Sequence, residues 1–406
     1  MFLKLLLASI IISQSAVCGV KSKMLENGLR VIYSDTGLEY PGVVMSVFVR
    51  GGASLSYNNK TSFAAMAQEQ SVVSIKRLSR IYGFRYRTNI SWDYVSYVFY
   101  LQASSVKYSV PKILSLFFVP PFINQDQLNY LKNGVEQKNL WTMNRQTMLY
   151  PLLSFFAPRG SVYSPGFNGF LEDALSISTS EINTFSRCFF SANNLVVSFA
   201  GIKEKDIPLE DMKTYKPCFK DGSFKKQEFV ASKSPNSEFS YYKAMGSGFI
   251  ARLGFIAPNC KKGSVLYDVI AELTERDDRI NSLVDNFSSQ NNCYSGTGTI
   301  DFIFSGAKIN LTVDMFTKEL IELSQRLEEV DLRSAKETLL AKYYFRLYSK
   351  EDLSYLLAKT EILCGNYKIL MDYPSMLKKV SLEMVKQELL RLESSKHVYL
   401  FMKMEK

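Results

Sequence analysis

The residue types that most often carry catalysis or hold metals are scarce in this chain of 406 residues. It has one histidine, His397, near its C-terminal end, and six cysteines, of which no two are spaced as C-x-x-C. No nucleophile elbow, phosphate-binding loop or dinucleotide fingerprint is present. Because zinc clusters and redox dithiols depend on close cysteine spacings, the sequence argues against both kinds of site. An enzyme of any of these classes is therefore not expected.

The composition is typical of a folded protein with a basic surface. Hydrophobic residues make up 47% of the chain and charged residues 22%, and 49 Lys and Arg against 39 Asp and Glu give a net charge of +10. A basic balance favours acidic partners or anionic surfaces, but no dense run of Lys or Arg stands out, so a solvated basic surface is the simpler interpretation. No zinc-finger, helix-turn-helix or RNA-binding signature occurs, so no nucleic-acid partner is predicted.

The first residues resemble a secretory signal. Lys4 precedes the apolar run Leu5–Ile12, and small residues lie between Ser15 and Gly19. We therefore predict a cleaved signal peptide over residues 1–19. The apolar run is too short for a stable anchor, and no later segment has the roughly twenty apolar residues that a spanning helix needs. We expect an exported bacterial protein, periplasmic or secreted, without a transmembrane segment.

The cysteines of an exported protein can form disulfides. An odd number of them follows the signal, so the sequence allows one or two bonds and does not name the pairs. They are Cys188, Cys218, Cys260, Cys293 and Cys364. Cys18 is a candidate for lipidation, although the Val17 before it does not suit that processing.

Patterns of strands and helices predict a first unit of mixed α and β character. It opens with a hairpin that turns at Asn27-Gly28, the strongest short hairpin signal, and continues into a central strand over Val43–Val49. The stretch Asn59–Gln70 predicts a mostly buried helix that could continue to Ile75. After this helix we predict two strands, over Ile81–Arg87 and Trp92–Leu101. Three helices follow, over Val106–Phe118, over Gln125–Asn144, and from the capping box Ser178–Glu181 to Phe189. A closing strand over Asn194–Gly201 completes the unit.

A second unit repeats this order. Its predicted elements are a strand over Phe249–Ile256, a helix over Ser264–Glu275, paired strands over Gly298–Phe304 and Ala307–Val313, helices over Phe316–Leu327, Leu332–Leu347 and Leu353–Cys364, and a closing strand over His397–Met402. Repeated architecture with little identity indicates an old duplication. We predict an N-terminal domain over residues 20–205, a linker over 206–237 and a C-terminal domain over 238–406.

In these patterns the chain resembles the insulinase/pitrilysin-like metallopeptidases, in particular small members related to mitochondrial processing peptidase. Leu25–Val31 resembles their opening strand, and Val47–Gly52 resembles the strand and glycine ahead of their metal-binding helix. Asn194–Gly201 and Arg333–Lys336 follow in the same order, and the resemblance covers essentially the whole chain after the signal. It implies an α+β fold of two tandem homologous domains, each a mainly antiparallel sheet with helices packed on one face.

Active members of that family carry H-x-x-E-H on the first long helix, where two imidazoles and a downstream carboxylate hold zinc and the motif glutamate acts as a base. In this chain the motif falls on Ala65, Gln68 and Glu69. Neither histidine is present, Gln68 cannot take up a proton, and no shift of the alignment supplies two histidines. The downstream glutamate corresponds to Glu136, which we interpret as a surface charge, or to Asn139. The resemblance therefore implies a chain without catalytic residues, metal or cofactor.

Some members of the family work in pairs, in which a zinc-less subunit supplies an arginine and a tyrosine that grip the substrate backbone. The tyrosine aligns with Tyr294, whereas the position of the arginine falls on Phe287 or Asp285. Arg279 matches a different arginine of the family, for which we expect a helix-packing role, and we interpret His397 as a structural residue. Tyr294 is thus a candidate substrate-binding residue that lacks its usual companion.

The resemblance leads to the hypothesis of an exported, catalytically inactive subunit that partners a zinc-bearing sister chain in peptide processing or degradation. Peptides are then candidate ligands, and the basic balance would favour acidic ones. The alternative is a scaffold or core subunit of a larger complex with no role in proteolysis, as in respiratory complexes whose core subunits share this fold. A shared fold does not decide between the two.

Overall fold

A computed structural model describes residues 19–35, 42–145, 153–156, 166–218, 224–226, 237–243, 248–261, 264–307 and 312–404. The signal peptide predicted over residues 1–19, apart from residue 19 itself, and the candidate lipidation site Cys18 lie outside the described residues. No helix among the described residues is both long and apolar enough to span a membrane. The chain divides into two compact units, the first made of residues 1–141, 165–227 and 343–371 and the second of 142–164, 228–342 and 372–406.

The elements are numbered in chain order. The strands are β1 (Val20–Met24), β2 (Arg30–Ser34), β3 (Gly42–Arg50), β4 (Leu55–Tyr57), β5 (Arg85–Ile90), β6 (Tyr94–Gln102), β7 (Leu195–Ala200), β8 (Phe224–Lys226), β9 (Ser237–Lys243), β10 (Gly248–Ala257), β11 (Asn286–Cys293), β12 (Gly298–Gly306) and β13 (His397–Met404). The helices are α1 (Phe63–Tyr82), α2 (Val106–Phe118), α3 (Gln125–Arg145), α4 (Leu153–Phe156), α5 (Leu171–Ser176), α6 (Thr179–Phe189), α7 (Leu209–Lys213), α8 (Ser264–Arg276), α9 (Asp278–Ser282), α10 (Val313–Arg326), α11 (Glu329–Tyr348), α12 (Lys350–Cys364), α13 (Lys368–Lys379) and α14 (Leu382–Glu393).

The first unit is built on a sheet with the spatial order β1-β2-β7-β3-β6-β5. Its neighbours run antiparallel except for β2 and β7, which are parallel. The β1–β2 hairpin turns at Asn27-Gly28, as predicted, with Gly28 at a φ of 82°. Strand β3 lies between β7 and β6 and is buried along Val43–Val49, so the predicted central strand is confirmed.

Both faces of the first sheet are covered. Alternate side chains of its strands, such as Val47 and Phe99, pack with α1, α2 and α6 in one apolar core. The opposite face is covered by α12, which packs on β3 and β7. There the Ser354 hydroxyl donates to Ser46 Oγ at 2.9 Å, and the Ser198 hydroxyl donates to the Ser354 carbonyl at 2.5 Å. Small side chains allow α12 to approach the sheet closely.

The second unit has a sheet of order β11-β12-β10-β13-β9, antiparallel except for the pair β13 and β9. Side chains such as Leu253 and Phe302 pack with α8, α10 and α14 in a second core. On the opposite face Phe156 of α4 packs with Val398 and Leu400. The predicted class, α+β with two mainly antiparallel sheets, is confirmed. The covering of the other faces by α12 and α4 was not predicted.

One predicted strand in the second unit is wrong at its C-terminal end. Residues 308–311 of the predicted strand Ala307–Val313 lie outside the described residues, but Val313 already begins α10, where the Thr312 hydroxyl accepts a hydrogen bond from Met315 N at 3.2 Å. Strand β12 pairs with β10 on one side and with β11 on the other, and the β11 sequence NFSSQNNC has few β-branched or apolar residues. An edge strand of polar residues leaves little pattern in a sequence, which is why it was missed.

The first long helix extends further than predicted. Helix α1 runs to Tyr82 and ends at Gly83 in a left-handed conformation, with φ of 67°, so Ile81 and Tyr82 are helical although a strand was predicted from Ile81. The strand that follows α1 is β5, which begins at Arg85 and occupies the edge of the sheet.

Helices α13 and α14 were not predicted.

The two units are not continuous in sequence. Ile207 and Met212, inside the predicted linker 206–237, are buried in the first core. A disulfide joins Cys188 to Cys218, and a second joins Cys260 to Cys293 in the second unit. Residues 343–371 belong to the first unit although the C-terminal domain was predicted over 238–406. These residues join the first unit because α12 packs against β3 and β7, and sequence patterns do not reveal such packing.

Candidate functional site

The positions that would carry a metal motif lie in the first turns of α1. Residues 65, 68 and 69 are three and four residues apart, so their side chains lie on one face of the helix. Ala65 and Gln68 are buried, while the Glu69 side chain is 17% exposed. Phe63, Met66 and Ile75 point into the core and fix the rotation of the helix on the sheet. Helical spacing by itself therefore places the three predicted positions next to one another, without a contribution from other elements.

The start of α1 has an unusual backbone. Asn58, Asn59 and Ser62 have φ values of 49°, 60° and 68°, in the left-handed region that residues other than glycine rarely adopt. Ser62 precedes the helix without a side-chain cap. Such a conformation persists only where surrounding contacts enforce it.

Contacts from the segment before α6 enforce this conformation. Asp173 of α5 accepts hydrogen bonds from the backbone and the hydroxyl of Thr61, both at 2.7 Å, and the Ser62 hydroxyl donates to the Phe170 carbonyl at 2.8 Å. Gly169 lies so close that a Cβ there would stand 2.3 Å from Ser62 N. The helix is therefore positioned by a loop more than a hundred residues away in sequence.

An ion pair strengthens the same connection. Lys60 Nζ lies 3.0 Å from Glu181, which also closes the predicted capping box with Ser178 at the start of α6. Burial alone would raise the pKa of Glu181, but the hydrogen bonds from Ser178 and Lys60 outweigh it and hold that pKa below its usual value. Glu181 is thus a carboxylate at neutral pH and serves the architecture of the site.

Glu69 is bound by a lysine. Lys138 of α3 forms an ion pair with the Glu69 carboxylate, and Gly134, one turn earlier on α3, faces the same group, since a Cβ there would stand 3.6 Å from Glu69 Oε2. Glu136 lies between these two positions in sequence and therefore points away from Glu69. Glu136 is half-buried on another side of α3, and the side chain of Asn139 lies outside the described residues.

Polar side chains next to the motif positions are also engaged. Gln70 donates to the Pro121 carbonyl and accepts from the Ser186 hydroxyl, both at 2.7 Å. The Ser71 hydroxyl donates to the Gln68 carbonyl and lies 2.7 Å from the Tyr97 hydroxyl. Burial raises the pKa of Tyr97 well above its usual value, so this phenol stays protonated. These hydrogen bonds hold α1 in place. Sequence reasoning missed them because the partners are distant.

The donor set at these positions does not suit zinc. Ala65 offers no donor, Gln68 offers only an amide, and the Glu69 carboxylate is already neutralised by Lys138. Among the described residues no group of three or more His, Cys, Asp and Glu side chains could hold a metal ion. Water activation by zinc is therefore not a step that these residues would support.

Tyr294, the predicted substrate contact, lies in the turn between β11 and β12 of the second unit. Its carbonyl accepts from Cys260 N at 3.2 Å, and its N–H donates to the Thr297 carbonyl at 2.8 Å. The disulfide of Cys293 holds the same turn, and the side chain is half-buried. The turn is thus a rigid platform for this tyrosine.

The other residues singled out in the second unit have structural contacts. Phe287 of β11 packs against Phe302, and Asp285 accepts from Ala307 N at 2.6 Å. Arg279 of α9 lies 3.1 Å from Glu322 of α10, in keeping with a helix-packing role. His397 begins β13 with its ring 6.0 Å from that of Phe255.

Comparisons with known proteins identify the fold. A protease from Helicobacter pylori superposes with a TM-score of 0.80 at 16% identity, over 95% of this chain and 99% of the other. A protein from Alicyclobacillus acidocaldarius described as an M16-like peptidase superposes with a TM-score of 0.80 at 14% identity, over 95% and 98%. No protein-family model and no curated protein matches the sequence. At these identities the similarity shows the fold alone.

Proposed function

Because the chain has the fold of M16-like peptidases, we propose that it is an exported, zinc-less member of this peptidase fold. In this proposal it is the non-catalytic subunit that partners an active zinc-bearing sister chain in peptide processing or degradation. It has no hydrolytic activity of its own. The peptides are bound jointly by the two chains.

The observation that carries the proposal is the ion pair of Glu69 with Lys138. A peptidase site needs a carboxylate that accepts a proton from a metal-bound water, and Gln68 stands at that position with an amide, which cannot do so. The ammonium of Lys138 provides the positive charge next to Glu69. The face of α1 therefore supports a packing role in place of catalysis.

The disulfides support export. Bonds such as Cys188–Cys218 and Cys260–Cys293 persist in oxidising compartments and are rare in the cytosol of mesophiles. They agree with the N-terminal signal that the sequence predicts over residues 1–19. In our proposal the protein acts in the periplasm or outside a bacterial cell.

Tyr294 and the basic balance support a role in peptide binding. Its turn is held by a disulfide and by two backbone hydrogen bonds, so the backbone that carries the phenol has a defined position. A net charge of +10 would attract acidic peptides. In our proposal Tyr294 contacts the peptide backbone in the assembled pair.

The test begins with the purified chain alone. We expect well under one zinc per chain by elemental analysis, no cleavage of a mixed peptide library, and a melting temperature that neither zinc nor EDTA changes, because a bound metal would stabilise the fold. One zinc per chain together with peptide turnover would overturn the proposal.

The second step is co-expression with a zinc-bearing homologue encoded beside it. We expect a stoichiometric complex that cleaves peptides, and Tyr294→Phe should raise the KM of that complex about tenfold with little change in kcat. Tyr348→Phe, at an exposed tyrosine in the first unit, is the matched control. Stable association with a membrane complex that has no peptidase would instead support the scaffold alternative.

A further inference from the structure

One long segment of the first unit is almost free of negative charge. Between Ser71 and Gln125 the sequence has seven Lys and Arg and a single acidic residue, Asp93. Asp93 is buried, so it contributes little to the surface. The charge is spread over fifty-five positions, which is why it does not stand out as a run in the sequence.

The fold gathers five of these cations on two neighbouring helices. Lys76, Arg77 and Arg80 lie on α1 and Lys107 and Lys112 on α2, and all five are exposed. The two helices pack side by side and contribute to one core on the same face of the sheet. None of the five has an ion-pair partner within 4 Å in the part of the chain that the structure describes.

Large apolar side chains are exposed among these cations. On α1, Val73 is 50% exposed and Ile81 63%, and on α2 Tyr108 is 73% exposed. Positions 73, 76, 77, 80 and 81 form one stripe of the helix, opposite the buried side that includes Ile75. We call Val73, Lys76, Arg77, Arg80 and Ile81 of α1, together with Lys107, Tyr108 and Lys112 of α2, the basic face.

Acidic groups on the adjoining elements do not neutralise this face. Glu69, at the other end of α1, is bound by Lys138. Helix α7 packs against α2 and carries Glu210, which is bound by Lys213, and Asp211. Arg87 is separate from the basic face, because its side chain pairs with Glu351 of α12 on the opposite side of the sheet.

We propose that the basic face binds the surface of an anionic phospholipid bilayer. Exposed cations are attracted to anionic headgroups, and apolar and aromatic side chains among them can enter the boundary between headgroups and acyl chains. An acidic peptide would need only the cations, so the exposed Val73, Ile81 and Tyr108 favour the bilayer. This attachment is peripheral and does not depend on the proposed role in peptide processing.

Vesicle binding by the purified full chain tests this inference. With vesicles of 70% phosphatidylcholine and 30% phosphatidylglycerol we expect sedimentation of the protein at 0.1 M salt, and little with phosphatidylcholine alone. Each cation near such a surface strengthens binding about fivefold. The variant Lys76→Gln, Arg77→Gln, Arg80→Gln should therefore bind on the order of 100-fold more weakly. Ile81→Ser with Tyr108→Ser should weaken the binding that remains at 0.5 M salt, where charge is screened.

A matched control removes the same charge elsewhere. The variant Lys318→Gln, Lys378→Gln, Lys379→Gln alters three exposed cations of the second unit and should bind vesicles like the unaltered chain. All altered residues are exposed, and circular dichroism checks that each variant is folded. Equal losses in both triple variants, or equal binding to the two kinds of vesicle, would overturn the proposal. The proposal would also be overturned if the chain bound polyglutamate through the α1 cations and did not bind vesicles.

Discussion

Glu69 is one of the three residues that the sequence comparison aligned with a metal motif, and its side chain is only 17% exposed. Lys138 forms an ion pair with this partly buried carboxylate. The pair joins α1 to α3. Its contribution is therefore to the position of the two helices, and removing one partner leaves the other charge partly buried.

We predict that Lys138→Met lowers the free energy of unfolding by about 1 kcal/mol, because Glu69 loses its partner. In a double-mutant cycle with Glu69→Gln, urea unfolding should show a coupling energy of about 0.5 to 1 kcal/mol. Lys107→Met, at an exposed lysine of α2, is the control and should change stability by less than about 0.5 kcal/mol. A coupling energy of zero would mean that the ion pair does not join the helices.

At the scale of elements, α1 depends on a loop from a distant part of the chain. Thr61 and Ser62 are held by Asp173 and the Phe170 carbonyl, and Gly169 makes room for this approach. The helix has no side-chain cap at its start. Tertiary contacts therefore supply what a local cap supplies in other helices.

A comparison of two glycines with similar φ values can separate the cost of a left-handed backbone from the cost of a steric clash. Gly169 has φ of +76° and Gly365 has φ of +75°, but only at Gly169 would a Cβ collide with another residue, at 2.3 Å from Ser62 N. We predict that Gly169→Ala lowers the free energy of unfolding by about 3 kcal/mol, and Gly365→Ala by only about 1 kcal/mol. Denaturant unfolding measures both. Equal losses would show that the approach to Ser62 does not matter.

At the scale of the molecule, the first unit is completed by a segment from the C-terminal half of the sequence. Helix α12 covers β3 and β7, and Ser354 lies fully buried between Ser46 and Ser198. The salt bridges of Arg30 with Glu361 and of Arg87 with Glu351 add contacts along the same helix. A truncated chain that ended before α12 would lack part of this unit's core packing.

We predict that Ser354→Val lowers the stability of the first unit by about 2 to 3 kcal/mol, because the methyl groups crowd the sheet and because Ser46 Oγ and the Ser198 carbonyl lose the Ser354 hydroxyl as a donor. Hydrogen exchange should then quicken in β3 and β7 while α14 of the second unit keeps its protection. Ser375→Val, at an exposed position of α13, is the control and should leave both units protected. Uniform loss of protection in both units would contradict this local effect.

Periodicity was sufficient for the elements with strong patterns. The bounds of α2 were predicted as they stand, the central position of β3 is confirmed, and the capping box at Ser178 forms. Predictions were wrong or incomplete where polar residues form a strand, as in β11, and where a strand pattern hid the start of α10. In those places pairing and burial outweigh local preference.

Patterns along the chain, and the family resemblance that they carry, were enough to predict the fold class and to identify the residues at the motif positions, because both can be read from local segments in their order. Tertiary contacts were needed to see that Lys138 pairs with Glu69, that Cys188 joins Cys218, that α12 completes the first unit, and that scattered cations of α1 and α2 form one face. Each of these is a contact between residues far apart in the chain. The chain brings them together only when its apolar faces are buried, and no local pattern records that packing.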